Sequence, residues 1–75
     1  MPGKIVEINT REEYKRFISQ HKYCIVKVSA GWCGPCQRVK PWFMERFNQM
    51  PDNIHLILVD ADEGDLANGL RVKSI

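Results

Sequence analysis

The sequence predicts one α/β domain covering residues 1–75, with three parallel strands in βαβαβ order and a short third helix at the end. Three observations carry that reading. Short runs rich in β-branched residues stand at Lys4–Ile8, Tyr23–Ser29 and Ile54–Val59. Segments with helical spacing separate them. The second run is mostly apolar on both of its alternating faces, as in a strand covered by helices on each side. Alternation of this kind implies parallel strands joined by right-handed crossovers.

Each element has a local cause. After the first strand, Thr10 with Glu13 three residues on forms a capping box, in which side chains satisfy the free amides of a helix start. Tyr14, Phe17 and Ile18 then share one stripe, and the helix should fade near Gln20 or His21. In the second strand Cys24, Val26 and Val28 point one way, and Ile25, Lys27 and Ser29 the other. Ala30 and Gly31 make the exit turn, and a second helix runs from Cys33 to about Met50. Pro35 falls in its first turn, where a missing amide costs little. Val39, Phe43 and Phe47 form its core stripe, and Pro41 should kink it by removing one backbone bond. Pro51, Asp52 and Asn53 end the helix, and His55 is the one polar side chain from Ile54 to Val59, expected at a strand edge. Asp60 to Asp65 reads as a solvated acidic turn without calcium-loop spacing, with Asp65 capping a short helix that carries Leu66, Ala67 and Leu70. Val72 to Ile75 leaves room for a turn.

Composition excludes several function classes. Eleven basic and nine acidic residues leave a formal charge of +2 with no basic cluster, so neither nucleic acid nor an anionic membrane is an expected partner. The start, Met1-Pro2-Gly3-Lys4, lacks the apolar core of a signal peptide, and no run reaches membrane-spanning length. A nucleotide fingerprint is absent, and no cofactor is expected. Three cysteines do not make a paired disulfide framework; one close pair in an untargeted chain points to redox or metal chemistry in a reducing, cytoplasmic setting.

That pair lies in Trp32-Cys33-Gly34-Pro35-Cys36. Two cysteines at this spacing can close a disulfide, hold half of a metal site, or exchange electrons with other thiols. A strand, a tight turn and a helix starting at Cys33 put that sulfur at the positive end of the aligned peptide dipoles, which favours thiolate over thiol. Cys24, on the opposite strand face from Lys27, reads as a small buried hydrophobe.

The five-residue motif after a β-branched strand, with Pro41 five residues beyond the second cysteine, resembles the thioredoxin family. Ser29-Ala30, Val59-Asp60-Ala61-Asp62, Leu66-Ala67 and the segment Leu70 to Ile75 extend the resemblance along essentially the whole chain. The resemblance implies a thioredoxin-like fold that stops before the family's cis-proline, without its last two strands and closing helix. It also implies a thiol–disulfide oxidoreductase that reduces protein disulfides. Cys33 is then the attacking thiol and should be the more exposed cysteine. Cys36 resolves the mixed disulfide, Gly34 and Pro35 fix the loop between the sulfurs, and Trp32 shields the pair and offers a docking surface. The implied electron donor is thioredoxin reductase or a similar enzyme.

The sequence departs from the family at Lys27, where a buried aspartate is usual, and at Leu58, the place of a lysine that often partners it. An ammonium beneath Cys36 would assist a thiolate electrostatically, by roughly 3 kcal/mol as an upper bound at about 6 Å and an effective dielectric near 20. With the family's later strands absent, the second strand becomes an open edge, and unpaired edges recruit other chains. A homodimer through that edge is therefore expected. The alternatives are an interaction or metal-bridging module, in which paired C-x-x-C motifs from two chains hold zinc or an iron–sulfur cluster, and a poorly folded, silent fragment.

Overall fold

The computed structural model describes residues 3–70, so the segment from 71 to 75 used in the resemblance lies outside the described residues. Six elements follow in the expected order: β1 (Ile5–Glu7), α1 (Arg11–Gln20), β2 (Tyr23–Ser29), α2 (Gly34–Asn48), β3 (Ile54–Asp60) and α3 (Leu66–Gly69). The strands form one parallel sheet in the order β1-β3-β2, with Val6 opposite Ile57 and Val26 opposite Ile57 on the other side. Alternation along the strands then separates two faces. Ile8, Ile57, Val59, Leu66 and Ala67 form a buried cluster, with Val6, Tyr14, Phe17, Val26 and Val28 packed against it. That face belongs to α1 and α3. Leu56 and Leu58 point to the other face, where α2 lies and where Phe47 is fully buried.

Backbone donors at the element ends are met both locally and from a distance. Thr10 caps α1 by accepting the Glu13 N–H at 3.4 Å, and its hydroxyl donates to the Glu13 carboxylate at 3.1 Å. The Arg11 N–H goes instead to the Asp65 carboxylate at 2.9 Å. Asp65 thus precedes α3 as expected, but its side chain caps α1 and makes no capping bond to its own helix. Asn9 ties three segments together. Its side chain accepts from the Asp60 N–H at 2.8 Å and donates to Glu7, and its carbonyl accepts from the Leu66 N–H at 3.0 Å. Gly64 closes over that asparagine with φ +62, where a Cβ would run into the Asn9 carbonyl.

Two expectations need correction. His55 is not on an edge strand: β3 is the central strand, as suits an almost continuously apolar run covered on both faces. Near the start of β3 the His55 Nδ1 accepts the Lys4 N–H at 2.9 Å, and the ring meets His21 at 4.4 Å between centroids. Val39 is 47% exposed and Ile18 is also exposed, so neither belongs to the core stripe assigned to it. Four-residue steps drift by about 40° around a helix, so Val39, two steps before the fully buried Phe47, is turned off the sheet side. Pro41 lies inside α2, as expected.

The His21 imidazole is held below its ordinary value of 6.5 by desolvation, and further by the nearby His55 and Lys4. A depressed base takes its proton later in the folded than in the unfolded chain. Stability is therefore complete above about pH 6.5 and declines as pH falls through the window between 6.5 and the lower folded value. The urea midpoint should drop between pH 7.5 and pH 5, and the drop should be smaller in His21→Gln and, in part, in His55→Gln.

Candidate active site

Strand β2 delivers the chain at Ser29 to a turn formed by Ala30, Gly31, Trp32 and Cys33. The Cys33 N–H donates to the Ala30 carbonyl at 3.1 Å and closes it, and Ala30 is buried. Cys33 has extended backbone angles, φ −89 and ψ 97, and serves as the N-cap of α2. Its Sγ accepts the Cys36 N–H at 3.3 Å, and its carbonyl accepts the Gln37 N–H at 3.2 Å. Gly34 and Pro35 begin the helix; proline is pre-shaped for this position and has no N–H to leave unpaired. No acidic residue sits in that first turn, so nothing there competes with a sulfur anion for the helix dipole.

Cys33 and Cys36 are joined by a disulfide, with their Cα atoms 5.3 Å apart. Each sulfur is thus occupied by the other, which does not favour the metal-bridging alternative. Among the described residues no group of three or more His, Cys, Asp or Glu side chains could hold a metal ion.

Exposure reverses one expectation. Cys33 is 5% exposed and Cys36 is half-buried, so the second cysteine is the more accessible. Capping is the reason: the N-cap side chain folds back over the helix end while its amide is tied into the turn, whereas Cys36 lies on the first helical turn. Beside them Trp32 is 66% exposed. Its indole Nε1–H donates to Asp62 at 2.7 Å, and the Asp62 N–H donates to the Asp60 carboxylate at 2.9 Å. The Ala61 N–H donates to the Ser29 carbonyl at 2.8 Å, bringing the turns after β2 and β3 together. The site therefore stands at the carboxyl ends of the strands, where parallel sheets commonly place their chemistry.

Lys27 lies one level deeper. It is opposite Leu58 across the sheet, as Glu7 is on the far side, and its Nζ rests 5.8 Å from the centre of the Phe43 ring. It shares a cavity of about 220 Å³ with Ala30, Gln37, Lys40, Glu7 and Asp60. Neither cysteine lines that cavity. Pro41 is exposed in the middle of α2. Cys24 is half-buried near the opposite end of β2, where its thiol donates to the His21 carbonyl at 3.4 Å and burial pushes it above its ordinary value.

Asn9 and Gln37 escaped the sequence reading, which has Asp62 only as part of a solvated turn. Gln37 donates its side-chain amide to the Ala30 carbonyl at 3.1 Å. The partners of Asp62 and Asn9 lie 30 and 51 positions away, so no local pattern could reveal them.

The thioredoxin family model matches residues 5–75. Thioredoxin-2 of Pyricularia oryzae is 33% identical over 69 residues, covering 91% of this chain and 40% of its own length. Mitochondrial thioredoxin 3 of Saccharomyces cerevisiae, solved in its oxidized form, superposes with a TM-score of 0.85 at 26% identity, covering 95% of this chain and 67% of the solved one. The Plasmodium falciparum thioredoxin structure gives 0.82 at 30% identity, with coverages of 92% and 68%. The chain spans about two fifths of the length of the Pyricularia relative and of a Geodia cydonium thioredoxin.

Removing the carboxylate that holds Trp32 should free the indole without unfolding the chain. In a Trp42→Phe background, Asp62→Ala should lower Trp32 fluorescence anisotropy and raise quenching by acrylamide. Stability should fall by about 1 kcal/mol.

Proposed function

The chain belongs to the thioredoxin family, and on that premise we propose that it is a thiol–disulfide oxidoreductase that reduces protein disulfides. One observation carries the reading: the Cys33 sulfur is at once a disulfide partner and the cap of the α2 N-terminus. An amide and the helix dipole that stabilise this sulfur as an anion make it the nucleophile and the better leaving group.

In the reduced chain the Cys33 thiolate attacks one sulfur of a substrate disulfide. A mixed disulfide forms, and the departing substrate thiolate takes a proton from water. Cys36, after losing its own proton, attacks Cys33 Sγ. The mixed disulfide breaks, the second substrate thiol leaves, and the Cys33–Cys36 bond stores the oxidation. Two electrons pass to the substrate, and a reductase drawing on a nicotinamide cofactor returns them. Cys33 is covered in the disulfide form, and opening the bond moves the Cys36 sulfur away and uncovers the Cys33 sulfur beside the exposed Trp32 while the Cys36 amide still holds it. Gly34 and Pro35 keep the sulfurs within reach. Lys27 acts from the cavity beneath the turn as electrostatic support, and Pro41 shapes the helix behind the pair.

The finer assignments rest on separate grounds. A cytoplasmic setting follows from cysteine usage suited to a reducing compartment. Among the described residues β2 is hydrogen-bonded to another strand on one side only. That free edge supports pairing with a second copy, in a homodimer whose two β2 strands meet.

Insulin reduction by dithiothreitol or a reductase system should be accelerated by the native chain and return to the uncatalysed rate in Cys33→Ser. Cys36→Ser should accumulate a mixed disulfide at Cys33. Undiminished turnover in Cys33→Ser, or trapping at Cys36 in its place, overturns these roles. Sedimentation velocity over a hundredfold concentration range should show a monomer–dimer equilibrium; a monomer throughout removes the dimer.

A further inference from the structure

We propose that Gln37 is a positioning residue for this site, holding the Ala30–Cys33 turn against α2 so that the Cys33 sulfur stays on the Cys36 amide after the disulfide opens. The inference rests on the oxidoreductase reading, and it concerns the reduced state.

Gln37 is an exposed helical residue whose amide could be left to water, yet it is spent on a buried carbonyl. Its Nε2 donates to the Ala30 oxygen at 3.1 Å, the same oxygen that accepts the Cys33 N–H at 3.1 Å. Its main-chain N–H donates to the Cys33 carbonyl at 3.2 Å. One residue thus bridges both ends of the four-residue turn, from a helical position one turn beyond the cap. The contact of Cys33 Sγ with the Cys36 N–H depends on where that turn sits relative to the helix.

In the oxidised chain a covalent bond already ties Cys33 to Cys36, so the bridge is redundant. Reduction removes the covalent tie and leaves hydrogen bonds to hold the sulfur at the helix end. The cavity of about 220 Å³ beside Ala30 and Gln37 has room for water. Water could satisfy the Ala30 oxygen if the glutamine were lost, but it would not tether turn to helix. Losing the side-chain donor should therefore disturb position rather than leave an unpaired buried group. Its effect should appear in the thiolate and not in the stability of the disulfide form.

The test is alkylation of the reduced protein by iodoacetamide from pH 5 to 9, followed by mass at Cys33. Gln37→Met keeps length and removes the donor without adding charge. It should slow the reaction at pH 7 by about three- to tenfold, the span of one hydrogen bond, with the pH inflection moved upward. The thermal midpoint of its disulfide form should match the native one. Gln37→Lys restores a donor; in 0.5 M salt, which screens its charge, it should react within about twofold of native. A native profile in Gln37→Met overturns the proposal. Equal slowing in Gln37→Lys also overturns it, because packing rather than donation would then matter. Alkylation reads the Cys33 thiolate with no substrate present, so an inactive native chain would sink the oxidoreductase reading while leaving this measurement to decide Gln37 separately.

Discussion

A helix begins with amides that its own carbonyls cannot reach. At α2 one of these, the Cys36 N–H, is met by the sulfur of Cys33. An aspartate or serine is the usual group in such a position. A sulfur there does two jobs, because whatever stabilises a cap acceptor also stabilises a thiolate. The rest of the site serves this contact: the Ala30 carbonyl anchors the turn, proline in the first helical turn starts the helix, and the lack of acid there leaves the dipole available.

The parallel sheet determines where such a cap can stand. Both connections out of β2 and β3 leave from the same end, so the turn carrying the cysteines faces the acidic turn carrying Asp60 and Asp62. The Ala61 N–H donates to the Ser29 carbonyl and holds the two turns together, the Asp60 N–H donates to the Asn9 side chain, and Trp32 is fastened to Asp62. At the other end of the strands Phe17, His21 and His55 cluster, with ring centroids 4.3 Å apart for Phe17 and His21. Acid-sensitive packing and thiol chemistry thus occupy opposite ends of the sheet. Protonation at one end acts on stability without touching the sulfurs directly.

Lys27 shows how a polar residue survives within a sheet. It faces α2, where a cavity bounded by Glu7, Lys40 and Asp60 supplies polar company and the Phe43 ring receives its ammonium. Leu58 beside it in the central strand offers no charge. The site therefore rests on a floor whose charges are carried by all three strands and by α2.

Element order, the cap at Thr10, the reach of β2 and the pairing of Cys33 with Cys36 were all legible in the chain, because each depends on residues a few positions apart. Capping boxes, strand alternation and C-x-x-C spacing are local physics. The relative exposure of the two cysteines, the use of Asp65 on α1, the place of His55 in the central strand and the fastening of Trp32 by Asp62 were not. The last three depend on segments that the crossovers bring together from tens of residues away, where side chains compete for the same donors. Sequence by itself determined that a close cysteine pair stands between a strand and a helix, and where that helix begins. Tertiary structure alone decided which sulfur is covered and what holds the turn around it, because burial and long-range hydrogen bonds exist only once the sheet has closed.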